Sequence, residues 1–130
     1  MITPEMQEAV KAVAELIKQS DEFKNVMEKQ KAYNESGDIA TYMTEYGVQQ
    51  EILSVEFGKP ERDEDLIAKI QARIDNLYDE IISNPVYQEY KDAADEYSAY
   101  YQEVVSELDF AITGKRASCS GDCSSCGGCH

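Results

Sequence analysis

Three long stretches of the sequence repeat apolar or aromatic residues in steps that alternate strictly between three and four. The first is Ile39, Met43, Tyr46, Gln50, Leu53 and Phe57, and the second is Ile67, Ile70, Ile74, Leu77 and Ile81. The third is Tyr87, Tyr90, Ala94, Tyr97, Tyr101, Val104 and Leu108. Steps of three and four keep every member on one face of a helix, and such seams pack helix against helix at small crossing angles. No stretch shows the alternation that a half-buried strand requires. The rhythm predicts an all-α fold of about five helices. They form an antiparallel helical bundle with a long C-terminal helix and an irregular cysteine-rich tail.

Local signals divide the chain. Thr3-Pro4-Glu5 starts a helix, with Thr3 as cap and proline in the first turn. Met6, Val10, Val13 and Ile17 give that helix a face to bury, and it ends near Gln19. Ser20 caps a second helix, with Asp21 and Glu22 at its positive end and Phe23, Val26, Met27 and Tyr33 on its inner face. Asn34-Glu35-Ser36-Gly37 breaks the chain, and Asp38 is expected to cap the third helix. Gln50 puts a polar group on that helix's seam, at a partly wet edge, and Gly47 marks a point of close packing. Gly58 to Asp63 reads as the clearest loop, and residues 64–83 as the fourth helix. Asn84-Pro85 then starts a fifth over residues 85–112, as a hairpin or a kinked continuation. That helix is too long for the first two to cover, so self-association is expected, most simply as a two-fold dimer. The division is a helical domain over 1–114 and a flexible tail over 115–130.

All four cysteines fall in the tail, as Cys119, Cys123, Cys126 and Cys129 in a C-x3-C-x2-C-x2-C pattern. The gaps hold only small residues and Asp122, so the backbone can wrap tightly. Four thiolates at one point suit a structural zinc or an iron–sulfur cluster. A single zinc usually draws on two pairs separated by a dozen or more residues. The compact block therefore favours a [4Fe–4S] cluster over zinc. Two disulfides and a ligand-free tail are the competing readings, and a cysteine-free body argues against an oxidising compartment. The opening C-x3-C-x2-C also matches the spacing of radical SAM enzymes, but no strand pattern offers their barrel. His130, the single histidine, is read as solvated.

The net charge is −14. Lys115, Arg116 and Asp122 give the tail a net +1, which leaves −15 on residues 1–114. Such a body repels a phosphate backbone, so direct nucleic-acid binding is not expected. Apolar runs are too short for a membrane span, and the expected location is cytoplasmic. Without histidine, cysteine or a phosphate-binding loop, the body offers no catalytic constellation, and the chain is expected not to be an enzyme. The acids around Glu61, Asp63, Glu64 and Asp65 read as solvated charges at a loop and helix start.

Tyr87, Tyr90, Tyr97, Tyr100 and Tyr101 crowd one segment. Amphipathic rings of this kind fill cores, and where exposed they form a partner-binding stripe. Ser20-x-x-Phe23-x-x-Val26 is echoed, 64 residues on, by Asn84-x-x-Tyr87-x-x-Tyr90.

Asn84-Pro85-Val86-Tyr87-Gln88-Glu89-Tyr90-Lys91-Asp92-Ala93, with Glu103-Val104 further along the same helix, resembles the signature helix of the YlbF/YmcA-like bacterial regulators. Ser20-Asp21-Glu22-Phe23 and the five-helix layout are similar as well, so the resemblance covers residues 3–113. It implies a small, self-associating helical protein without catalytic activity. It also implies assembly with homologous regulator subunits and a third protein, in a complex that works with the endoribonuclease RNase Y. That complex steers maturation of polycistronic transcripts, and its loss disturbs competence, sporulation and biofilm formation. The cysteines that hold a [4Fe–4S] cluster in YlbF-type members correspond here to Cys119, Cys123, Cys126 and Cys129.

Overall fold

A computed structural model of the chain describes residues 1–116. Five helices follow one another: α1 Pro4–Gln19, α2 Asp21–Glu35, α3 Gly37–Phe57, α4 Glu64–Ile82 and α5 Pro85–Thr113. There is no strand among the described residues, so the chain is all-α, as its periodicity predicts. It divides into two compact units, Met1–Ala94 and Asp95–His130, and α5 spans the boundary.

The helix ends follow local chemistry. Thr3 accepts from the Met6 amide at 3.2 Å and caps α1. Ser20 serves two helices: its hydroxyl donates to the Ile17 carbonyl at 2.5 Å and accepts from the Phe23 amide at 3.2 Å. One residue therefore closes α1 and opens α2, which satisfies backbone groups that would otherwise lack partners. Asp63 caps α4 through the Leu66 amide at 3.0 Å. Asn84 starts α5, its side-chain oxygen taking the Val86 amide at 2.9 Å and its carbonyl the Gln88 amide at 3.0 Å. At α3 the cap is Ser36, which takes the Ile39 amide at 3.3 Å, and not Asp38. A serine hydroxyl two residues earlier captures the orphan amide, and Gly37 and Asp38 become first-turn residues of the helix.

In the first unit, α3 and α4 make the closest helix pair. Ile67, Ile70, Leu77 and Ile81 are buried on α4, four of the five positions expected there, and Ile74 is half-buried. Leu77 is wholly shielded from solvent, a burial worth roughly 1.5–3 kcal/mol. Arg73 grips Glu45 of α3 with two bonds, Nε to Oε1 at 2.6 Å and Nη2 to Oε2 at 2.7 Å. Glu56, only 4 % exposed, ties the α3–α4 loop down. It accepts from Lys59 Nζ at 2.6 Å and from the Asp63 amide at 3.0 Å.

These contacts turn α3 away from its expected orientation. The covered positions are Ile39, Tyr42, Tyr46, Gln49, Leu53 and Glu56, again in steps of three and four. Met43 and Phe57 are 49 % and 40 % exposed, and Gln50 is exposed too. The expected seam is thus rotated by about half the angle between neighbouring residues. Glu45 and Glu56 lie toward the covered side, and their bonds to Arg73 and the loop are made in this rotation. The expectation that Gly47 marks close packing also fails, because a Cβ added there would meet nothing within 4 Å.

The first turns of α5 pack on α2. Tyr33 stacks on Tyr90 at 5.2 Å between ring centroids and tilts against Tyr87 at 6.3 Å. Lys29 Nζ bonds Glu89 Oε2 at 2.9 Å beside them. Ala93 is buried where the seam pointed to its neighbour Ala94, which is half-buried.

Candidate interaction surfaces

The chain's chemistry-bearing features are apolar faces without cover, a tyrosine cluster and a tail of thiols. On α1, no residue is buried. Met6, Val10, Val13 and Leu16 are between 45 % and 66 % exposed, although three of the four belong to the face expected to be inside. Only Ala14 and Ile17 are half-covered along this helix. An amphipathic stripe of this length is the kind of face that a partner surface buries.

On α3 the apolar residues occur all round the helix. Val48, Ile52 and Val55 repeat in steps of four and three on one flank, and Val55 is 61 % exposed. Met43, Gln50 and Phe57 occupy another, where Gln50 and Phe57 line an open groove of about 490 Å3 together with Gln71, Ile74 and Asp75 of α4. A helix apolar on every side belongs in an interior. The single seam read from the sequence omitted Val48, Ile52 and Val55, although their own four-and-three spacing would have disclosed them.

The charged contacts of the first unit are structural. The Arg73 guanidinium holds the Glu45 carboxyl below the usual carboxylate range, and Glu45 in turn raises Arg73. Glu56 is likewise lowered, first by the bond from Lys59 and then by the Asp63 amide. The bond to Glu89 raises Lys29. No group of three histidine, cysteine, aspartate or glutamate side chains among the described residues could hold a metal ion.

The five tyrosines named from the sequence divide between the units. Tyr87 and Tyr90 are half-buried and share their rings with Tyr33. In the second unit Tyr97 lies 6.5 Å from Tyr100 and 6.4 Å from Tyr101, and Tyr101 is 45 % exposed. The Ser20/Asn84 echo is real at the level of local structure, since both residues start helices and the aromatic three positions on sits in the first turn.

At the far end of α5 the chain is fastened before the thiols begin. Gly114 has φ +69° and donates to the Phe110 carbonyl at 2.8 Å, the left-handed closure that glycine supplies cheaply. Arg116 reaches back to Glu107 at 2.6 Å and lies 4.3 Å from the Phe110 ring centroid. Glu107 raises the Arg116 pKa, chiefly through that bond. Cys119, Cys123, Cys126 and Cys129 lie outside the described residues. Their chemistry alone, four soft thiolates and no competing bulky side chain in the gaps, suits an iron–sulfur cluster or zinc. No described helix is long and apolar enough to cross a membrane.

The family model described as "Control of competence regulator ComK, YlbF/YmcA" matches residues 6–113, a span that reaches into all five helices. No curated protein matches the chain, and no solved structure does.

Proposed function

The chain belongs to the YlbF/YmcA family of regulators, and from that premise we propose that it is a non-catalytic regulatory adaptor of the cytoplasm. It self-associates, most simply as a two-fold dimer that covers the α1 stripe. It joins homologous subunits and RNase Y to steer messenger RNA processing, and through it competence, sporulation and biofilm formation. The observation that carries the reading is the combination of the family match with apolar faces left open on α1 and α3. A chain that works by assembly needs such faces. The net charge of −14 supports it further, because contact with RNA falls to basic partners.

In this reading Cys119, Cys123, Cys126 and Cys129 ligate a [4Fe–4S] cluster on a tail that α5 holds at its root. The cluster supplies sensitivity to iron and oxygen, which the helices lack. Tyr97, Tyr100 and Tyr101 add a contact surface in the second unit, while Tyr87 and Tyr90 pack against Tyr33 within the first.

The test is anaerobic purification with iron, sulfide and zinc analysis, followed by pull-down with RNase Y and homologous subunits. About four irons per chain, lost in Cys126→Ala/Cys129→Ala together with partner capture, is the expected result. About one zinc per chain would make the tail a structural knot and leave the adaptor role to the helices. Metal content and capture both unchanged in the double variant would sink the tail's role.

A further inference from the structure

We propose that Arg116 balances the charge of the centre that Cys119, Cys123, Cys126 and Cys129 ligate, with Glu107 as the acceptor that competes for its guanidinium. The inference rests on the four-thiolate reading of the tail and adds a residue which that reading does not contain. Arg116 is not a ligand. It sets how tightly the thiolates hold their metal.

The thiol block begins at an unfavourable place for negative charge. Four thiolates outweigh either a dipositive zinc ion or a dipositive cubane core, so the loaded centre is an anion. The block follows directly on the C-terminal end of α5, where the helix dipole is negative. Helix α5 has no basic residue in its last turn, and Glu103, Glu107 and Asp109 lie close to that end. The chain as a whole carries −14. From residue 92 to the C-terminus, Lys115 and Arg116 are the only lysine or arginine. An anionic centre here needs nearby cations, and the sequence supplies these two immediately before the first cysteine.

Of the two, Arg116 is the one whose side chain is held in place. Gly114, at φ +69°, closes α5, and Arg116 then lies back against the helix the chain has just left. Its Nη1 donates to Glu107 Oε1 at 2.6 Å, and its guanidinium carbon stands 4.3 Å from the Phe110 ring centroid. The ring keeps the guanidinium beside the helix end whichever acceptor it faces. Cys119 follows three residues later, so chain length alone keeps the two Cα atoms within about 11 Å of each other. The bond to Glu107 is readily exchanged. The two side chains are 65 % and 61 % exposed, and exposed ion pairs contribute little. A thiolate-ligated anion outcompetes a single carboxylate, and the donors of one guanidinium can serve more than one sulfur. Glu107 then neutralises Arg116 only while the thiols hold no metal.

The experiment uses the full chain, reduced and metal-free under anaerobic conditions, titrated with cobalt(II) and then with zinc against a competing chelator. Thiolate-to-cobalt absorption reports sulfur ligation, and the competition gives the zinc affinity. Arg116→Gln should bind zinc at least about tenfold more weakly than the parent chain. Arg116→Lys should recover most of that loss, and the gap should narrow as salt rises. Glu107→Gln removes the competing acceptor and should tighten zinc by about threefold. The same change should have less effect in the Arg116→Gln background. Lys11→Gln, which removes an equal charge from the first unit, should leave the affinity as it is. Equal affinity in the parent chain and Arg116→Gln would overturn the proposal. Weakening by Glu107→Gln to the level of Arg116→Gln would overturn it in favour of a clasp that only fastens the end of α5. An equal loss in Lys11→Gln and Arg116→Gln would overturn it in favour of diffuse net charge. Absence of thiolate absorption in the parent chain would sink the four-thiolate reading and this inference with it, whereas full absorption with equal affinities would sink the inference alone.

Discussion

Helices α1 and α4 carry the same kind of sequence signal and meet opposite fates. On α4, Ile67, Ile70, Leu77 and Ile81 disappear beneath neighbouring helices. On α1, Met6, Val10 and Val13 repeat with equal regularity and remain in contact with solvent. Both helices are well capped, and both have an acid in the first turn. The difference is therefore not in propensity. Periodicity states that a face is to be covered and leaves open whether the cover lies in the same chain. Where intrachain cover runs out, the face stays open to contacts beyond the chain.

Predictions that test the contrast can be ordered by size. Leu77→Ala, at the best-covered position of α4, should cost about 2–5 kcal/mol in chemical denaturation. Ser20→Ala removes a hydroxyl that serves the end of α1 and the start of α2, and should cost about 0.5–2 kcal/mol. Gly47→Ala should add up to about 1 kcal/mol, because the space is open and only the glycine's helix penalty is removed. Val10→Lys, on the uncovered stripe, should leave unfolding within about 0.5 kcal/mol of the parent chain when both are compared at concentrations dilute enough to keep them monomeric. The same substitution should shift sedimentation toward monomer, which separates a face used for assembly from one used for folding.

A pH experiment sharpens the same comparison. Glu45 and Glu56 both have folded pKa values below the ordinary 4.5. The stability they contribute is complete above that value and is lost as pH falls through their lowered folded values. Parallel denaturation of the parent chain and Glu56→Gln should show a gap at neutral pH that narrows below about 4.5 and closes in stronger acid. A gap independent of pH would mean that Glu56 acts through shape and not through charge. Among the described residues no such carboxylate contact anchors α1, whose Glu8–Lys11 and Glu15–Lys18 pairs are exposed and lie within the helix itself. Such pairs contribute little.

The sequence made some parts of this molecule plain and hid others. Thr3, Ser20 and Asn84 were readable as helix starts because a cap bonds to amides two or three residues away, and the needed partners are always present. The same logic slipped by two residues at Ser36, where two capping-competent side chains stood close together and the earlier one took the amide. The tail was conspicuous as a thiol block, since ligand spacing is itself a property of sequence. The open groove beside Gln50 and Phe57 was not, because it exists only once α3 has chosen its rotation.

By itself, then, the sequence determined that the chain is helical, to within about two residues where its helices begin and end, and which family it resembles. These rest on interactions spanning a turn or two of backbone. Tertiary structure alone decided which side of α3 meets α4. Bonds from Glu45 to Arg73, 28 residues away, and from Glu56 to the loop are made with Tyr42, Gln49 and Glu56 inward and Met43, Gln50 and Phe57 left outside. It also decided that the apolar stripe of α1 stays open. Burial is a property of what lies opposite a face, and no periodicity along one helix can contain that information.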